Sequence, residues 1–136
     1  LINLVEIYNS KYYYIIKQDL YDLLKERTSE QSISHKEMPS WEDHCEFVES
    51  RPYKHWYMVE SENGIVGAIY LTHQNEIGVS IFNQFKGQGH AERAVKLLMA
   101  TNKGPFLANV NPKNKVSRNL FEKLGGKIIQ VTYEIQ

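Results

Sequence analysis

The sequence predicts a mixed α/β fold, and three observations carry the prediction. Two runs rich in aromatic and β-branched residues flank an Asn63-Gly64 pair, the signature of an antiparallel hairpin. Three stretches repeat apolar residues at helical spacing. These patterns alternate along the chain in the order β-α-α-β-β-β-α-β-α-β, which suits a mixed sheet covered by helices rather than a bundle or a sandwich.

Each element has its own local reason. "LINLVEIY" alternates loosely and opens as a strand. "SKYYYIIKQDLYDLLKER" places Tyr13, Ile16, Leu20, Leu23 and Leu24 near helical spacing behind a candidate Ser10 cap. "TSEQSISHKEMP" is polar and reads as a loop, after which Ser40 and Asp43 form a capping-box arrangement. That box opens a short second helix with Trp41, Cys45 and Val48 on its expected inner face. "HWYMVES" and "IVGAIYLT" make the hairpin, and "EIGVSIF" is a further strand. A glycine turn follows, then a helix with Ala91, Ala94, Val95 and Leu98 on one face. "PFLANV" reads as a buried strand and "NPKNKVSRNLFEKLGG" as a helix that stops at Gly125. "KIIQVTYEI" alternates as a last strand.

With 136 residues, 42% of them hydrophobic, the chain suits one domain with its own core. Its single cysteine, Cys45, leaves no internal disulfide framework, so a reducing, cytoplasmic setting is expected. No apolar run approaches the roughly 20 residues of a membrane span, and the first residues lack the basic region of a signal peptide. The formal charge is zero but unevenly placed. Residues 86–127 carry nine lysines and arginines against Glu92 and Glu122, a net +7, whereas residues 1–85 carry a net −6. A neutral total excludes generic nucleic-acid binding over the whole surface, while the split suits an anionic ligand on the second half. The histidines lack metal-ligand spacing, so no metal is expected.

The chemistry concentrates at "NQFKGQGHAERAVKLLMA". A strand entering a Gly-rich turn and then a helix presents unpaired N–H groups at the positive end of the helix dipole, a ready anion site. "GQGHAE" lacks the third glycine of a dinucleotide fingerprint, and "GQGHAERAVK" lacks the Gly-Lys-Ser/Thr of a nucleotide P-loop.

This stretch resembles motif A of the GNAT superfamily of N-acetyltransferases, with Lys86, Gly89 and Ala91 at the pattern positions and Lys in place of the usual Arg or Gln. "NPKNKVSRNLFEKLGG" resembles motif B of the same family through Asn114 and Leu124-Gly125. The resemblance covers nearly the whole chain, and it implies a mostly antiparallel sheet with helices on both faces and two splayed central strands. It implies acetyl-CoA as co-substrate, its pantetheine arm lying beside Ile81 and Asn83. The pyrophosphate would rest on the turn of Lys86, Gly87, Gln88, Gly89, His90 and Ala91, with Asn114 and Phe121 close by.

The same resemblance implies acetyl transfer by direct attack of a primary amine on the thioester, with Glu76 the candidate general base and His73 its substitute. Relatives commonly carry Tyr at the position of Phe121, and Phe has no proton to give the departing thiolate; Ser117 and Tyr133 are the stand-ins. The acceptor region maps to the first two helices and their loop, with His35 and Glu37 as candidate contacts. The expected partner is a small amine, with an amino sugar ahead of a protein N-terminus, bound by a monomer or homodimer that engages neither nucleic acid nor membrane. A non-catalytic acyl-CoA sensor is the alternative that Phe121 keeps open.

Overall fold

The computed structural model describes residues 1–27 and 37–136. Four strands, β1 (Asn3–Glu6), β2 (His55–Ser61), β3 (Gly64–Leu71) and β4 (Ile77–Ile81), form one antiparallel sheet in that order. Helices α1 (Tyr13–Lys25) and α2 (Trp41–Glu49) lie between β1 and β2 in sequence; α3 (His90–Ala100) and α4 (Lys115–Lys123) follow β4. The mixed architecture expected of the sequence is borne out. Among the described residues, no helix is long and apolar enough to cross a membrane.

The hairpin forms at the Asn63-Gly64 pair, Gly64 taking a φ of 91° that closes the turn. Its register contains one irregularity: Val59 pairs with Gly67 and Glu60 with Ile65, so Val66 is the extra residue of a bulge. The two faces of the sheet bury separate clusters. On one, Ile16, Leu20 and Leu23 of α1 and Val48 of α2 pack with Ile7, Trp56, Met58 and Ala68. On the other, Ala94, Val95 and Leu98 of α3 pack with Val59, Val66, Ile69, Leu71 and Ile77, and α4 adds Leu120, Phe121 and Leu124 at the margin. A helix pair thus packs on each face, and β4 stands at the edge of the sheet.

The helix ends differ in how they are capped. Ser40 accepts a hydrogen bond from the Asp43 N–H at 3.1 Å, as the capping box predicts. Asn114 does the same for α4 through the Ser117 N–H. The end of α4 is a Schellman turn, with Gly126 N–H bonded to Phe121 O, Gly125 N–H to Glu122 O, and Gly125 at φ 93°. The expected Ser10 cap is not formed: the N-cap lies two residues later, at Tyr12, and the Ser10 hydroxyl accepts from the Tyr12 N–H in the preceding turn. The inner face of α2 is also rotated from the expected one. His44 and Val48 are its buried residues, whereas Trp41 is 37% exposed, because His44 Nε2 donates to Lys17 O of α1 and draws that edge of the helix inward. Lys17 and Glu49 tie the same two helices at 3.1 Å.

Two expected strands are corrected. Residues 106–110 form only a single parallel bridge, Glu76 to Leu107, in which Ile77 N–H donates to Leu107 O at 2.7 Å and Leu107 N–H to Asn75 O at 2.9 Å. The Asn75 amide holds that segment in place through Lys103 O and Pro105 O. Beyond Ile77 the two chains part, and their separation prevents a ladder. The second correction is at the C-terminal end, where residues 127–136 are exposed and outside any strand, with Ile128, Ile129, Val131, Tyr133 and Ile135 all more than 65% accessible. Alternation in "KIIQVTYEI" signals a strand's period, but a strand also needs a paired neighbour, and among the described residues no strand pairs with this segment.

Candidate acetyl-transfer site

The parting of β4 from residues 106–110 opens a cleft of about 580 Å³. One wall is the outer edge of β4 from Ile77 to Ile81, the other is Asn109, Val110 and Asn111 with the start of α4, and the floor is the turn into α3. The splay that the resemblance implies is therefore present, pinned at Glu76 and Leu107 and widening beyond them.

At that floor, Gly87 and Gly89 both have φ of 80°, the left-handed region that strains any residue with a β-carbon. A β-carbon at Gly87 would meet open space, so backbone conformation rather than crowding calls for glycine there. Gly89 is the N-cap of α3, and among the described residues no side chain caps this helix. Its first-turn N–H groups therefore face the cleft without an intrahelical acceptor. Arg93 folds back to donate to Gln88 O at 2.9 Å, which fixes the turn.

His90 is the first residue of α3 and only 8% exposed. Its Nε2 sits 3.2 Å from Gln88 Oε1, and its Nδ1 has no partner among the described residues. An unsatisfied buried ring nitrogen on the cleft wall, beside free helix N–H groups, fits a ligand that brings polar oxygens. Of the basic residues in this half, Lys96 and Lys123 are engaged by Glu92, at 3.3 Å and 2.8 Å. Those two lysines hold the Glu92 carboxyl below its ordinary range.

The cofactor residues expected from the resemblance are mostly brought together. Ile81, Lys86, Gly87, Gly89, His90, Ala91, Asn114 and Phe121 line the cleft. Gln88 supports the turn from behind through its contacts to His90 and Arg93. Asn83 does not line the cleft, and its N–H already donates to Glu26 Oε1 at 2.7 Å. Phe121 faces the cleft with no proton to offer; Ser117 lines it too, whereas Tyr133 is 84% exposed in the tail.

Glu76 also lines the cleft, at the narrow end. Its Oε1 accepts from the Thr72 hydroxyl at 3.1 Å and its Oε2 from Asn109 at 2.7 Å, so the carboxylate bridges the two splayed segments. Each oxygen retains an acceptor site after these bonds. His73 is exposed at the adjoining turn and lines neither cavity.

A second cavity, of about 300 Å³, lies between α1, α2 and the sheet. It shares Leu23, Arg27, Tyr70, Gly78 and Ser80 with the cleft, so the two adjoin at that point. Apart from Leu23, expected on the apolar face of α1, the sequence did not single these out, although a glycine inside a strand is a signal of close approach, and Gly78 is one. Glu37 is exposed and lines this cavity; His35 lies outside the described residues. Among the described residues, no group of three or more His, Cys, Asp or Glu is placed to hold a metal ion.

A cleft between splayed strands that ends on the bare N-terminus of a helix agrees with the comparison against family profiles, in which the acetyltransferase (GNAT) domain matches residues 15–127. The chain belongs to the GNAT acetyltransferase family. No curated protein is significantly similar to it in sequence. A domain from Methanocaldococcus jannaschii DSM 2661 superposes with a TM-score of 0.77 at 22% identity, covering 98% of this chain and 93% of that one. RimL, a ribosomal-protein alpha-N-acetyltransferase solved in complex with coenzyme A, gives 0.70 at 16%, covering 90% and 77%. The dodecameric spermidine N-acetyltransferase of Vibrio cholerae gives 0.68 at 16%, covering 91% and 78%. At these identities the three share the fold with this chain, and the acceptors named for the last two, a ribosomal protein and spermidine, differ from one another.

Proposed function

We propose that residues 1–136 act as one acetyltransferase domain that moves the acetyl group of acetyl-CoA to the primary amine of a small molecule. The observation that carries this reading is the splayed cleft ending on the uncapped start of α3, where Gly87 and Gly89 expose backbone N–H groups beside the unpartnered Nδ1 of His90. Those groups suit a pyrophosphate, and the outer edge of β4 suits the amides of an extended arm, which would bind it as an added strand does. Glu26 already bonds the Asn83 N–H, so the arm is read as pairing nearer Ile81.

Acetyl-CoA supplies an acyl group already activated as a thioester. A C–N bond forms to the amine as the C–S bond breaks, the ammonium proton leaves to a base, and the sulfur departs as thiolate. Glu76 is the base favoured by position, since it lines the cleft with an acceptor site left on each oxygen. Where the amine lies beyond direct reach, one bridging water would carry the proton. Thr72 and Asn109 hold the carboxylate in one orientation, which serves proton transfer better than a freely rotating side chain. Phe121 means that the thiolate either leaves unassisted, an ordinary thiol pKa of about 8.5 to 10 making this feasible near neutrality, or takes its proton from solvent or Ser117.

Thiol release on adding acetyl-CoA and an amine panel tests the reading, with acetyl-CoA binding followed by calorimetry. Turnover that depends on the amine supports transfer. A second reading, an acyl-CoA sensor, is favoured by Phe121 alone; tight binding of acetyl-CoA with no thiol release across the panel would establish it.

A further inference from the structure

The acceptor cavity has a chemical character of its own, and we propose that it selects an α-amino acid with an aromatic side chain. The inference rests on the transfer reaction proposed above. It starts from the walls. Tyr53 and Tyr70 stack face to face, 3.9 Å between centroids and 4° apart in plane. Trp56 meets Tyr53 edge-on at 4.7 Å, and Phe47 meets both at 5.8 and 6.1 Å. These four rings line one small cavity, together with leucines of α1. A pocket of about 300 Å³ is at the small end of ligand sites, so it takes a compact apolar body and not a long chain. Edges and faces of four rings favour another ring as that body.

The charges then place the two ends of the molecule. Arg27 is the only lysine or arginine among the described residues lining this cavity, and it lines the cleft as well, which puts it where the two meet. Its positive charge reaches the hydroxyl of Tyr53. Transfer requires the amine at that same meeting point, beside Tyr70, Gly78 and Ser80. In an α-amino acid the carboxylate is one carbon from the amine, so amine and carboxylate fall together at the junction while the side chain enters the aromatic cavity. A guanidinium pairs with a carboxylate in bidentate fashion. A polyamine would instead set a second cation near Arg27 and its methylenes among the rings. A sugar would bring several hydroxyls to a wall whose surface is mostly apolar. Glu37 and Asp43 also line the cavity and are the features that a polyamine would use, which makes spermidine the decisive competitor. Asp43 is in the first turn of α2, where the helix dipole already favours its charge without a ligand.

The test follows acceptor binding and turnover separately. In the presence of coenzyme A, L-phenylalanine, L-phenylalaninamide, spermidine and glucosamine are titrated against the fluorescence of Trp56 and Trp41, and thiol release is measured with acetyl-CoA. L-Phenylalanine is expected to bind tightest and to give a kcat/KM at least about tenfold above the others. Arg27→Gln should raise its KM by roughly 30-fold or more and erase the preference for the acid over the amide. Phe47→Ala, at a residue 41% exposed and so tolerant of truncation, should lower kcat/KM for L-phenylalanine by about tenfold. Turnover in which spermidine or glucosamine is preferred overturns the inference and leaves the transfer reaction standing. A KM for acetyl-CoA that rises in Arg27→Gln as much as that for the acid assigns the guanidinium to the cofactor and overturns the carboxylate contact. Absence of acetyl-CoA binding removes the transfer reaction and this inference with it.

Discussion

The ring of Tyr70 on β3 lies flat across the α-carbon of its cross-strand partner Gly78 on β4, so closely that a β-carbon at 78 would overlap the ring. This contact sets the wall between the two cavities, because both residues line both of them. Tyr70 is held from its other side by the stack on Tyr53, and the burial of that pair pushes the Tyr53 hydroxyl pKa up. Gly78→Ala therefore has to lift Tyr70 off the strand and break the stack. The expected cost is about 1 to 3 kcal/mol of stability, read as a lower urea midpoint. Acceptor kcat/KM should fall further than the KM for acetyl-CoA rises. Equal loss on both substrates would mean that the ring is not a divider between them.

Glu76 joins two roles that mutation can separate. Its carboxylate ties Thr72 to Asn109 across the mouth of the splay, and it is also the proposed base. Glu76→Gln keeps a hydrogen-bonding group of the same size but cannot take a proton at neutral pH. The expected result is a loss of about 10² to 10⁴ in kcat with little change in KM for acetyl-CoA. Asn109→Ala removes the tie and leaves the acid, so it should lower stability by about 1 kcal/mol and kcat only modestly. Should the two variants lose kcat alike, Glu76 acts by holding the cleft in shape.

How much of this was legible in the sequence depended on whether a feature is local. The Asn63-Gly64 turn, the Ser40 cap and the Gly125 stop are written within a few residues, and each forms where its pattern lies. The glycine turn before α3 was legible for the same reason. "PFLANV" and "KIIQVTYEI" have the composition of strands, but a strand is completed by its neighbour, and no local pattern says that Leu107 meets Glu76 once and then departs. The acceptor cavity is the least legible part. Tyr53, Tyr70 and Arg27 are separated by 17 to 43 residues, and only the folding of α1 against the sheet brings them together. The glycine inside β4 was the one available signal.

Gly89 offers a test of the anion site that does not rely on the acceptor. Its φ of 80° and its place as N-cap of α3 mean that alanine strains the turn by about 1 to 2 kcal/mol, or else rotates the first N–H groups away from the cleft. Gly89→Ala is expected to raise the KM for acetyl-CoA by about tenfold or more while leaving that for the acceptor nearly unchanged. Desulfo- and dephospho-coenzyme A separate the two ends of the ligand. The penalty should persist with both, since each keeps the pyrophosphate, and should vanish with free pantetheine, which lacks it.

His44 gives the protein a pH-dependent stability with a defined window. Burial between α1 and α2 lowers its pKa from the ordinary value of about 6.5; the bond from Nε2 to Lys17 O works against that shift, and the Lys17 ammonium adds to it. The folded state therefore keeps the ring neutral at pH values where the unfolded chain has already taken a proton. Because the unfolded state binds more protons in that interval, stability is full above about pH 6.5 and falls as the pH is lowered toward the folded-state pKa. Glu92 has a depressed carboxyl and contributes in the same direction, its share being lost as the pH falls from the ordinary glutamate pKa of about 4.3 toward its lower folded-state value. Urea midpoints measured from pH 7.5 to 5 should decline for the wild type. His44→Gln can still donate to Lys17 O but carries no titrating ring, and its midpoint should be lower at pH 7.5 and flatter across the interval. A decline that is just as steep in the variant would assign the titration to another group.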